Sequence, residues 1–356
     1  MQAFAALLDG LIYTRSRDHK VRLIADYFRT TPDPDRGWAL AALAGTLSIS
    51  TVKAAAIRAM AEERFDPMLF RMSRDYVGDT AETVALMWPD VSQDVVAPTV
   101  SEVIDVLSGT SRARAPAVLA ELMDRLDANG RYALLKLATG GMRVGISARL
   151  AKTAFGQAFG VSVDDVEEVW HALRPPYAEL FAWGEGKSER PDPADSAFFR
   201  PFMLAHPLED ERLDLEDFAA EWKWDGIRIQ IASTGGETRL FSRGGDEVTA
   251  AFPEIAAAFN GIGVVDGELL VRGDVQGGEA ASFNALQQRL GRKNVTAAMQ
   301  AEYPVFVRLY DILFDGAEDM RSQPWTIRRE RLELFSARLD PVRFDLSAII
   351  EARDFD

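Results

Sequence analysis

Residues 221–232 read EWKWDGIRIQIA, and the alternation of apolar and polar side chains in this stretch decides the fold of the second half of the chain. Isoleucines occupy every second position around Arg228 and Gln230, which is the period of a β-strand with one buried face. The same period continues in TRLFSR, VVDGELLV and VFVRLYDILF, with helical segments at EIAAAFN, FNALQQRLGRKN and TIRRERLELFSARL. Because strands follow one another without a strict βαβ alternation, we predict an α+β domain built on an antiparallel sheet.

The sequence before this stretch has the period of helices. Between residues 1 and 183, apolar side chains recur at spacings of three and four behind Ser, Thr and Asp start signals, without a repeat of fixed length. The following stretch begins with GEGKSERPDPADS, a composition typical of a linker. We therefore expect a multidomain protein with an all-α domain at 1–183, a linker at 184–199 and the α+β domain at 200–356.

Composition excludes several classes of protein and of site. With 47% hydrophobic and 27% charged residues, the 356-residue chain is globular. No apolar run approaches the roughly 18 residues of a membrane span, so we expect a cytoplasmic protein. The absence of cysteine excludes disulfides, thiolate metal sites and a cysteine nucleophile, and three scattered histidines leave oxygen atoms as the expected metal ligands.

The distribution of charge suggests one local basic surface. A net charge of −15 argues against nonspecific binding of nucleic acid by bulk attraction. However, no acidic residue lies between Arg131 and Lys152, an interval that contains Lys136, Arg143 and Arg149. We predict that this interval forms a surface that binds nucleic-acid phosphates.

The pattern K-x-D-G-x-R at residues 223–228 has a specific chemical use. A strand over residues 221–225, which Gly226 then breaks, would place Glu221, Lys223 and Asp225 on one face, opposite both tryptophans. A strand lysine is commonly just a solvated charge, but a lysine that attacks phosphorus must be neutral, and nearby cations favour the neutral amine. Arg228 and a bound Mg²⁺ would supply such charge, and Asp225 would orient the amine or the water shell of the metal.

Four further residues have both a structural and a functional interpretation. Arg243, before a Gly-Gly turn, is either a routine hairpin-end arginine or part of the site. Glu268, in an apolar strand, needs an arginine partner or a metal to offset its burial. Tyr310 packs in the core or offers a platform for a nucleobase, and Asp311 has the same ambiguity. Residues 283–293, FNALQQRLGRK, indicate an amphipathic helix with a basic end.

Several segments, taken in order, resemble the motifs of a known superfamily. EWKWDGIR, FSRGGDE, VVDGELLV and YDILFDG resemble motifs I, Ia, III and IIIa of the covalent nucleotidyltransferases. RPFMLAHP before the lysine, FNALQQRLGRK after it and GGMRVGISARLAK in the helical half are similar to ATP-dependent DNA ligases in particular. The full pattern is similar to bacterial ligases labelled cisplatin damage response ATP-dependent DNA ligases.

The resemblance implies a helical DNA-binding domain followed by a nucleotidyltransferase (adenylation) domain that uses ATP and Mg²⁺. Lys223 would form the lysyl-AMP phosphoramide, and Glu268 and Asp225 would act near the metal. The nucleotide would be contacted by Glu221, Arg228, Arg243, Glu268 and Tyr310. The duplex would be approached by Gly140, Gly141, Arg143, Arg149 and Lys152.

The resemblance also implies a substrate and a setting. Nicked double-stranded DNA would be sealed by three phosphoryl transfers during repair, replication or recombination. The protein would be a monomer in the cytoplasm, associated with the nucleoid, with no membrane partner.

The end of the chain departs from the resemblance. Motifs IV to VI and a trailing OB-fold domain have no match, so we expect a C-terminally truncated ligase with an incomplete adenylation domain that seals nicks weakly or not at all. One alternative is a noncatalytic protein that binds nicked DNA. Another is an RNA ligase or capping guanylyltransferase, against which the long helical domain before the lysine argues.

Overall fold

The computed structural model describes residues 1–49, 52–89, 95–140, 142, 144–191, 197–203, 218–272, 286–290 and 295–351. The chain divides into two compact units, Met1–Pro191 and Asp192–Asp356. Each unit has its own hydrophobic core. None of the helices within these described ranges offers an apolar stretch of the length that a bilayer requires.

The first unit is helical in its described part, as predicted. Its helices are α1 (Gln2–Tyr13), α2 (Arg17–Thr30), α3 (Asp35–Ala44), α4 (Ala54–Arg64), α5 (Pro67–Val77), α6 (Thr80–Met87), α7 (Val100–Ser108), α8 (Ala115–Met123), α9 (Ala128–Thr139), α10 (Ala148–Phe159), α11 (Val163–Trp170) and α12 (Ala178–Gly184). Polar N-caps start several of them; the Ser147 hydroxyl accepts the N–H of Leu150 at 3.2 Å, which satisfies a free donor of α10. Phe28, Phe155 and Phe181 meet edge to face or tilted in the core, so the helices pack around aromatic contacts.

Residues 184–199, the predicted linker, include the boundary between the two compact units, which falls after Pro191. Glu185 is ion-paired with Arg36, and Arg190 with Asp165 at 2.9 Å. These pairs hold the polar stretch against the first unit as far as Pro191. Three residues at its other end are buried in the second unit: Ala197, Phe198 and Phe199. Polar composition here marks an ion-paired surface as much as a connection between units.

The second unit is built on an antiparallel sheet, as predicted. Its strands are β1 (Ala220–Glu221), β2 (Ile227–Ser233), β3 (Thr238–Ser242), β4 (Gly263–Val271), β5 (Val305–Asp315), β6 (Glu318–Asp319), β7 (Phe344–Leu346) and β8 (Ile349–Ile350). The main sheet has the order β3-β2-β4-β5-β6, and β7 pairs with β5 in parallel. A separate two-stranded sheet joins β1 to β8. The unit's helices are α13 (Pro253–Ala258), α14 (Ala297–Glu302) and α15 (Trp325–Ser336).

One face of the main sheet is apolar and packs on helices. Ile229 and Ile231 of β2 are fully buried there with Val265 of β4. Ile255 of α13 and Leu332 of α15 belong to the same core. Alternation along the strands therefore separates an aliphatic face from a face that is free to carry polar chemistry.

The opposite face carries the polar side chains. The register of β2 and β4 sets Arg228 opposite Glu268 and Gln230 opposite Asp266. Residues 197–203 lie against this face, since Gln230 accepts the Arg200 N–H at 2.6 Å and donates to the Arg200 carbonyl at 3.0 Å. The polar residues are consequently brought together by strand register, not by closeness in sequence.

The strand predicted over residues 221–225 is wrong after Glu221. Strand β1 ends at Glu221 and β2 begins at Ile227, so Lys223 lies in a connection between two sheets. At Gly226 the connection comes close to β4, since a Cβ at this position would lie 2.4 Å from the Leu269 carbonyl oxygen. The chain can approach β4 this closely only without a side chain.

The basic end predicted for residues 283–293 is also corrected where it is described. Arg289 is fully buried instead of solvated, and it pairs with both carboxylate oxygens of Glu254. It also donates to the Tyr303 carbonyl at 3.1 Å. This arginine anchors its segment to the core; residues 283–285 and 291–293 lie outside the described part.

Candidate functional site

Lys223 is displayed at the surface by the lysine segment, which we define as residues 222–226. Lys223 and Asp225 are both exposed, and Trp222 is 65% exposed. An exposed amine and a carboxylate two residues away are accessible to a charged ligand. The structure therefore leaves the nucleophile predicted from the sequence open to solution.

Trp224 anchors the lysine segment. Its Nε1 donates to the Ser347 hydroxyl at 3.1 Å, and the Arg308 guanidinium lies 4.1 Å from the ring centroid. Trp224 is partly buried while Trp222 is exposed, so the two tryptophans do not share a face as predicted. The reason is the end of strand geometry after Glu221.

Glu268 is an acidic residue that is hydrogen-bonded directly to the lysine segment. Its Oε1 accepts the backbone N–H of Gly226 at 3.2 Å, and it stands opposite Arg228 in the sheet. Burial raises the pKa of Glu268, while the Gly226 hydrogen bond and the charges of Arg228 and Lys223 act to lower it. The predicted need for a partner is met by a backbone donor and by neighbouring cations.

Arg228 is held in place from three directions. Its Nη2 donates to Asp266 Oδ2 at 2.9 Å and to the Met203 carbonyl at 3.1 Å. Its guanidinium carbon lies 4.1 Å from the Phe202 ring centroid and 5.8 Å from that of Tyr310. A cation fixed in this way needs little reorganisation to meet an anion.

Asp266 belongs to the site, although the sequence reasoning did not single it out. It is 1% exposed and binds Arg228 as well as Gln230, whose Nε2 donates to it at 3.2 Å. Burial raises its pKa to about 7, against the opposing effect of Arg228. The signal was available, because Asp266 and Glu268 are two apart in a strand and must share a face.

Tyr310 and Asp311 have different roles in the structure. Tyr310 is partly buried beside Arg228, and burial together with the nearby carboxylate of Asp266 raises its pKa. Asp311 accepts two hydrogen bonds from Arg328, at 2.8 and 3.1 Å. Of the two, Tyr310 remains next to the candidate site, and Asp311 fastens β5 to helix α15.

Glu221 and Arg243 stand at the margins of this group. Burial raises the pKa of Glu221, and Arg329 approaches its Oε1 at 3.5 Å. Arg243 is exposed in the turn after β3. Within the described part of the chain no side-chain hydrogen bond of Arg243 is seen, so its nucleotide contact stays a prediction.

A separate cationic cleft lies in the first unit. It has a volume of about 310 Å³ and is lined by Arg15, Arg17, Lys20, Gly145, Ser147, Arg149 and Leu150. Lys20 reaches across it and donates to the Val144 carbonyl at 2.9 Å. Three of these cations precede or begin α2, and the sequence analysis missed them because they are far along the chain from Arg149. Only the fold brings them together.

Residues predicted to approach DNA are therefore only partly grouped. Arg149 lines the cationic cleft, with its side chain 69% exposed and a long 3.9 Å contact to Asp164. Gly140 ends α9 with a φ of 68°, a conformation that suits glycine. Gly141 and Arg143 lie outside the described residues.

Lys152 does not fit the predicted DNA surface. It is buried, ion-paired with Glu167, and 4.7 Å from the Trp170 ring centroid. Burial lowers its pKa, which the Glu167 carboxylate counteracts. Lys136 is likewise ion-paired, with Asp79. Both lysines neutralise acids that lie outside this interval in the sequence, Asp79 before α6 and Glu167 in α11, so an interval without acids is not a free basic surface in the fold.

Comparisons with known proteins find similarity to DNA ligases. The family model for the ATP dependent DNA ligase domain matches residues 202–355. A probable DNA ligase of Koribacter versatilis is 26% identical over 353 residues, which cover 94% of this chain and 60% of that protein. DNA ligase 1 of Korarchaeum cryptofilum is 31% identical over 253 residues, which cover 66% of this chain and 45% of that protein.

The likeness extends to a solved structure. The protein titled Pmar-Lig_Pre. has a TM-score of 0.54 at 14% identity and covers 98% of this chain and 66% of its own, a likeness of fold. The chain spans 60% and 45% of the lengths of the two curated relatives named above. Family model and relatives agree with the resemblance seen in the sequence: the chain is similar to ATP-dependent DNA ligases, and residues 202–355 match the model of the ATP dependent DNA ligase domain.

Proposed function

We propose that this protein is a DNA ligase that takes AMP from ATP onto Lys223 and passes it to a nick in duplex DNA. The observation that carries the proposal is the bond between Glu268 and the lysine segment, where Gly226 donates its N–H at 3.2 Å. Arg228 stands opposite Glu268 in the same sheet. An exposed lysine is thereby grouped with one carboxylate and one fixed cation, the set that nucleotidyl transfer requires.

In the first step the Lys223 amine would attack the α-phosphorus of ATP. A phosphorus–nitrogen bond forms, the bond to pyrophosphate breaks, and the amine loses a proton. Arg228 faces the developing negative charge from a position already fixed by Asp266 and Phe202. The ring of Tyr310, beside Arg228, offers a surface on which adenine can stack.

The acidic residues fit a magnesium ion. Among the described residues no group of three or more His, Cys, Asp or Glu side chains is placed to bind a metal. Mg²⁺ does not need such a group, because it takes one or two protein carboxylates and completes its shell with water and phosphate oxygens. Glu268 and the exposed Asp225 would hold it. When bound, the ion would neutralise phosphate charge.

The cationic cleft of the first unit supports the DNA part of the proposal. Arg15, Arg17, Lys20 and Arg149 place four positive charges around one cleft in a chain whose net charge is −15. Such local concentration is what binds phosphates, because each contact releases counterions from the duplex. We therefore infer that the cleft contacts the backbone of nicked DNA.

Sealing of a nicked duplex labelled at the internal 5′-phosphate tests the whole proposal. ATP and Mg²⁺ should give a longer labelled strand, or at least 5′-adenylated DNA, with the wild type and neither product with Lys223→Arg. Salt-dependent binding of the nick without either product would instead favour the noncatalytic alternative.

A further inference from the structure

The lysine segment is bordered by residues that come more than 120 positions later in the chain. Strand β1 pairs with β8, so that Glu221 stands opposite Ile349. Strand β7 pairs in parallel with β5, which is the strand that carries Tyr310. Ser347 lies between β7 and β8. It therefore connects the strand next to Tyr310 with the strand that pairs with Glu221.

Ser347 bonds in several directions at once. It is fully buried; its N–H donates to the Leu309 carbonyl at 2.8 Å, and its own carbonyl accepts Arg329 Nη1 at 2.9 Å. Its hydroxyl accepts Trp224 Nε1 at 3.1 Å. The same serine hydroxyl lies close enough to Glu221 to lower the pKa of that carboxyl against the effect of burial.

Trp224 is the residue of the lysine segment that is hydrogen-bonded to this serine. Trp222, Lys223 and Asp225 are exposed, whereas Trp224 is partly buried between Arg308 and Ser347. Arg308 is itself fixed by two hydrogen bonds to Asp345, at 2.9 and 2.8 Å. Neighbouring residues on a connection move together, so the anchored Trp224 limits where the Lys223 amine can lie.

We propose that Ser347 is a positioning residue for Lys223, acting through Trp224, and that residues 344–350 set the geometry of nucleotidyl transfer without touching the nucleotide. This inference rests on the proposed adenylation of Lys223. Its structural half, that Ser347 holds the lysine segment in place, stands apart from that activity. The two halves can be measured separately.

The experiment combines hydrogen exchange with the kinetics of lysyl-AMP formation. Ser347→Ala removes the hydroxyl, Ser347→Thr keeps it, and Ser322→Ala replaces an exposed serine in the turn before α15 as the matched control. Trp224→Phe removes the same hydrogen bond from its donor side if the alanine variant fails to fold. Amide exchange is read in the peptide 220–226, and adenylation with ATP labelled at the α-phosphate.

Ser347→Ala and Trp224→Phe should both speed exchange in peptide 220–226 and slow lysyl-AMP formation at saturating ATP roughly ten- to a hundredfold. Half-saturating ATP should change less than about twofold, since neither side chain binds nucleotide. Ser347→Thr should recover most of the rate, and Ser322→Ala should match the wild type. A general loss of stability would instead change exchange across the second unit.

Two results separate failure of this inference from failure of the proposed function. A wild type that forms no lysyl-AMP refutes the adenylation, yet faster exchange confined to 220–226 in Ser347→Ala would still support the anchoring. Unchanged exchange and an unchanged adenylation rate in Ser347→Ala would overturn the inference even with a fully active wild type.

Discussion

The backbone N–H of Gly226 donates to Glu268 Oε1 at 3.2 Å, three residues after the lysine. This contact joins the segment that carries the nucleophile to the strand that carries the acid. It exists because position 226 has no side chain; a Cβ would lie 2.9 Å from Glu268 Cγ and 2.4 Å from the Leu269 carbonyl oxygen. The distance between lysine and carboxylate is thus set by a glycine.

Gly226→Ala should lower the rate of lysyl-AMP formation roughly tenfold or more, because the added methyl group must push the lysine segment away from β4. The control is Gly236→Ala in the turn between β2 and β3, where a Cβ meets nothing within 4 Å. Equal adenylation by the two alanine variants, measured with labelled ATP, would refute the role given to Gly226.

Glu268→Gln should separate the charge of the acid from its hydrogen bond. The amide oxygen can still accept the Gly226 N–H, but the negative charge is gone, so the variant should adenylate roughly a hundredfold more slowly. The Mg²⁺ concentration for half-maximal rate should rise, and removal of Mg²⁺ should abolish labelling in both proteins. Glu330→Gln, on the exposed side of α15, is the control. An unaltered Mg²⁺ dependence would argue against Glu268 as a ligand.

Asp266→Asn should change how stability depends on pH. Burial raises the pKa of Asp266 from 3.8 to about 7, so between these values the folded protein keeps a proton that the unfolded chain has released. The carboxyl's contribution to stability is full below pH 3.8 and is lost as pH rises through 7. The asparagine variant lacks this loss.

The free energy of unfolding of Asp266→Asn, relative to wild type, should therefore rise from about pH 4 to pH 7. Urea titrations at several pH values measure this difference. A difference that stays constant over the range, or falls, would show that Asp266 is charged throughout it.

The period-two pattern predicted β2 well because burial of alternate isoleucines is a local property of sequence. It failed at residues 222–225, where the connection is shaped by Ser347 and Arg308, more than 80 positions away in the chain. Lys223, Arg228 and Glu268 could be selected from their residue types and spacing. Asp266 was not predicted, although the sequence does contain a signal for it: Asp266 and Glu268 lie two apart in one strand and so share a face.

The basic interval between Arg131 and Lys152 shows that charges counted along the sequence do not predict a charged surface. The interval contains no acids, yet its lysines form ion pairs with acids from elsewhere in the chain. Asp79 is 57 positions from Lys136, and Glu167 is 15 positions from Lys152. The cleft around Arg149 gains its other cations from the start of α2. Counting charges along the sequence predicts neither the ion pairs nor the cleft, because both depend on how the helices pack.

Lys152→Met and Arg149→Ala should change different properties, the first the stability and the second the affinity for DNA. Lys152→Met leaves Glu167 partly buried without its partner and should lower the free energy of unfolding by roughly 3 kcal/mol, with little change in DNA affinity well below the melting temperature. Arg149→Ala should leave stability nearly unchanged. It should weaken binding of nicked duplex and reduce the slope of log affinity against log salt by about one.

Denaturant melts and fluorescence anisotropy over a series of salt concentrations test this pair. Loss of DNA affinity in a fully folded Lys152→Met would restore Lys152 to the DNA surface. An unchanged salt slope in Arg149→Ala would remove the cationic cleft from the DNA contact.

The central claim, that Lys223 carries AMP, is tested most directly by transfer of label from ATP radiolabelled at the α-phosphate, followed by denaturing electrophoresis and peptide mapping. The account predicts acid-labile label on the peptide that contains Lys223 in the wild type and in Lys187→Arg, a control at an exposed lysine of the first unit. Lys223→Arg should carry none, because arginine keeps the charge but is not a nucleophile. Label on Lys223→Arg, or its absence from a folded wild type with ATP and Mg²⁺ present, would contradict the account.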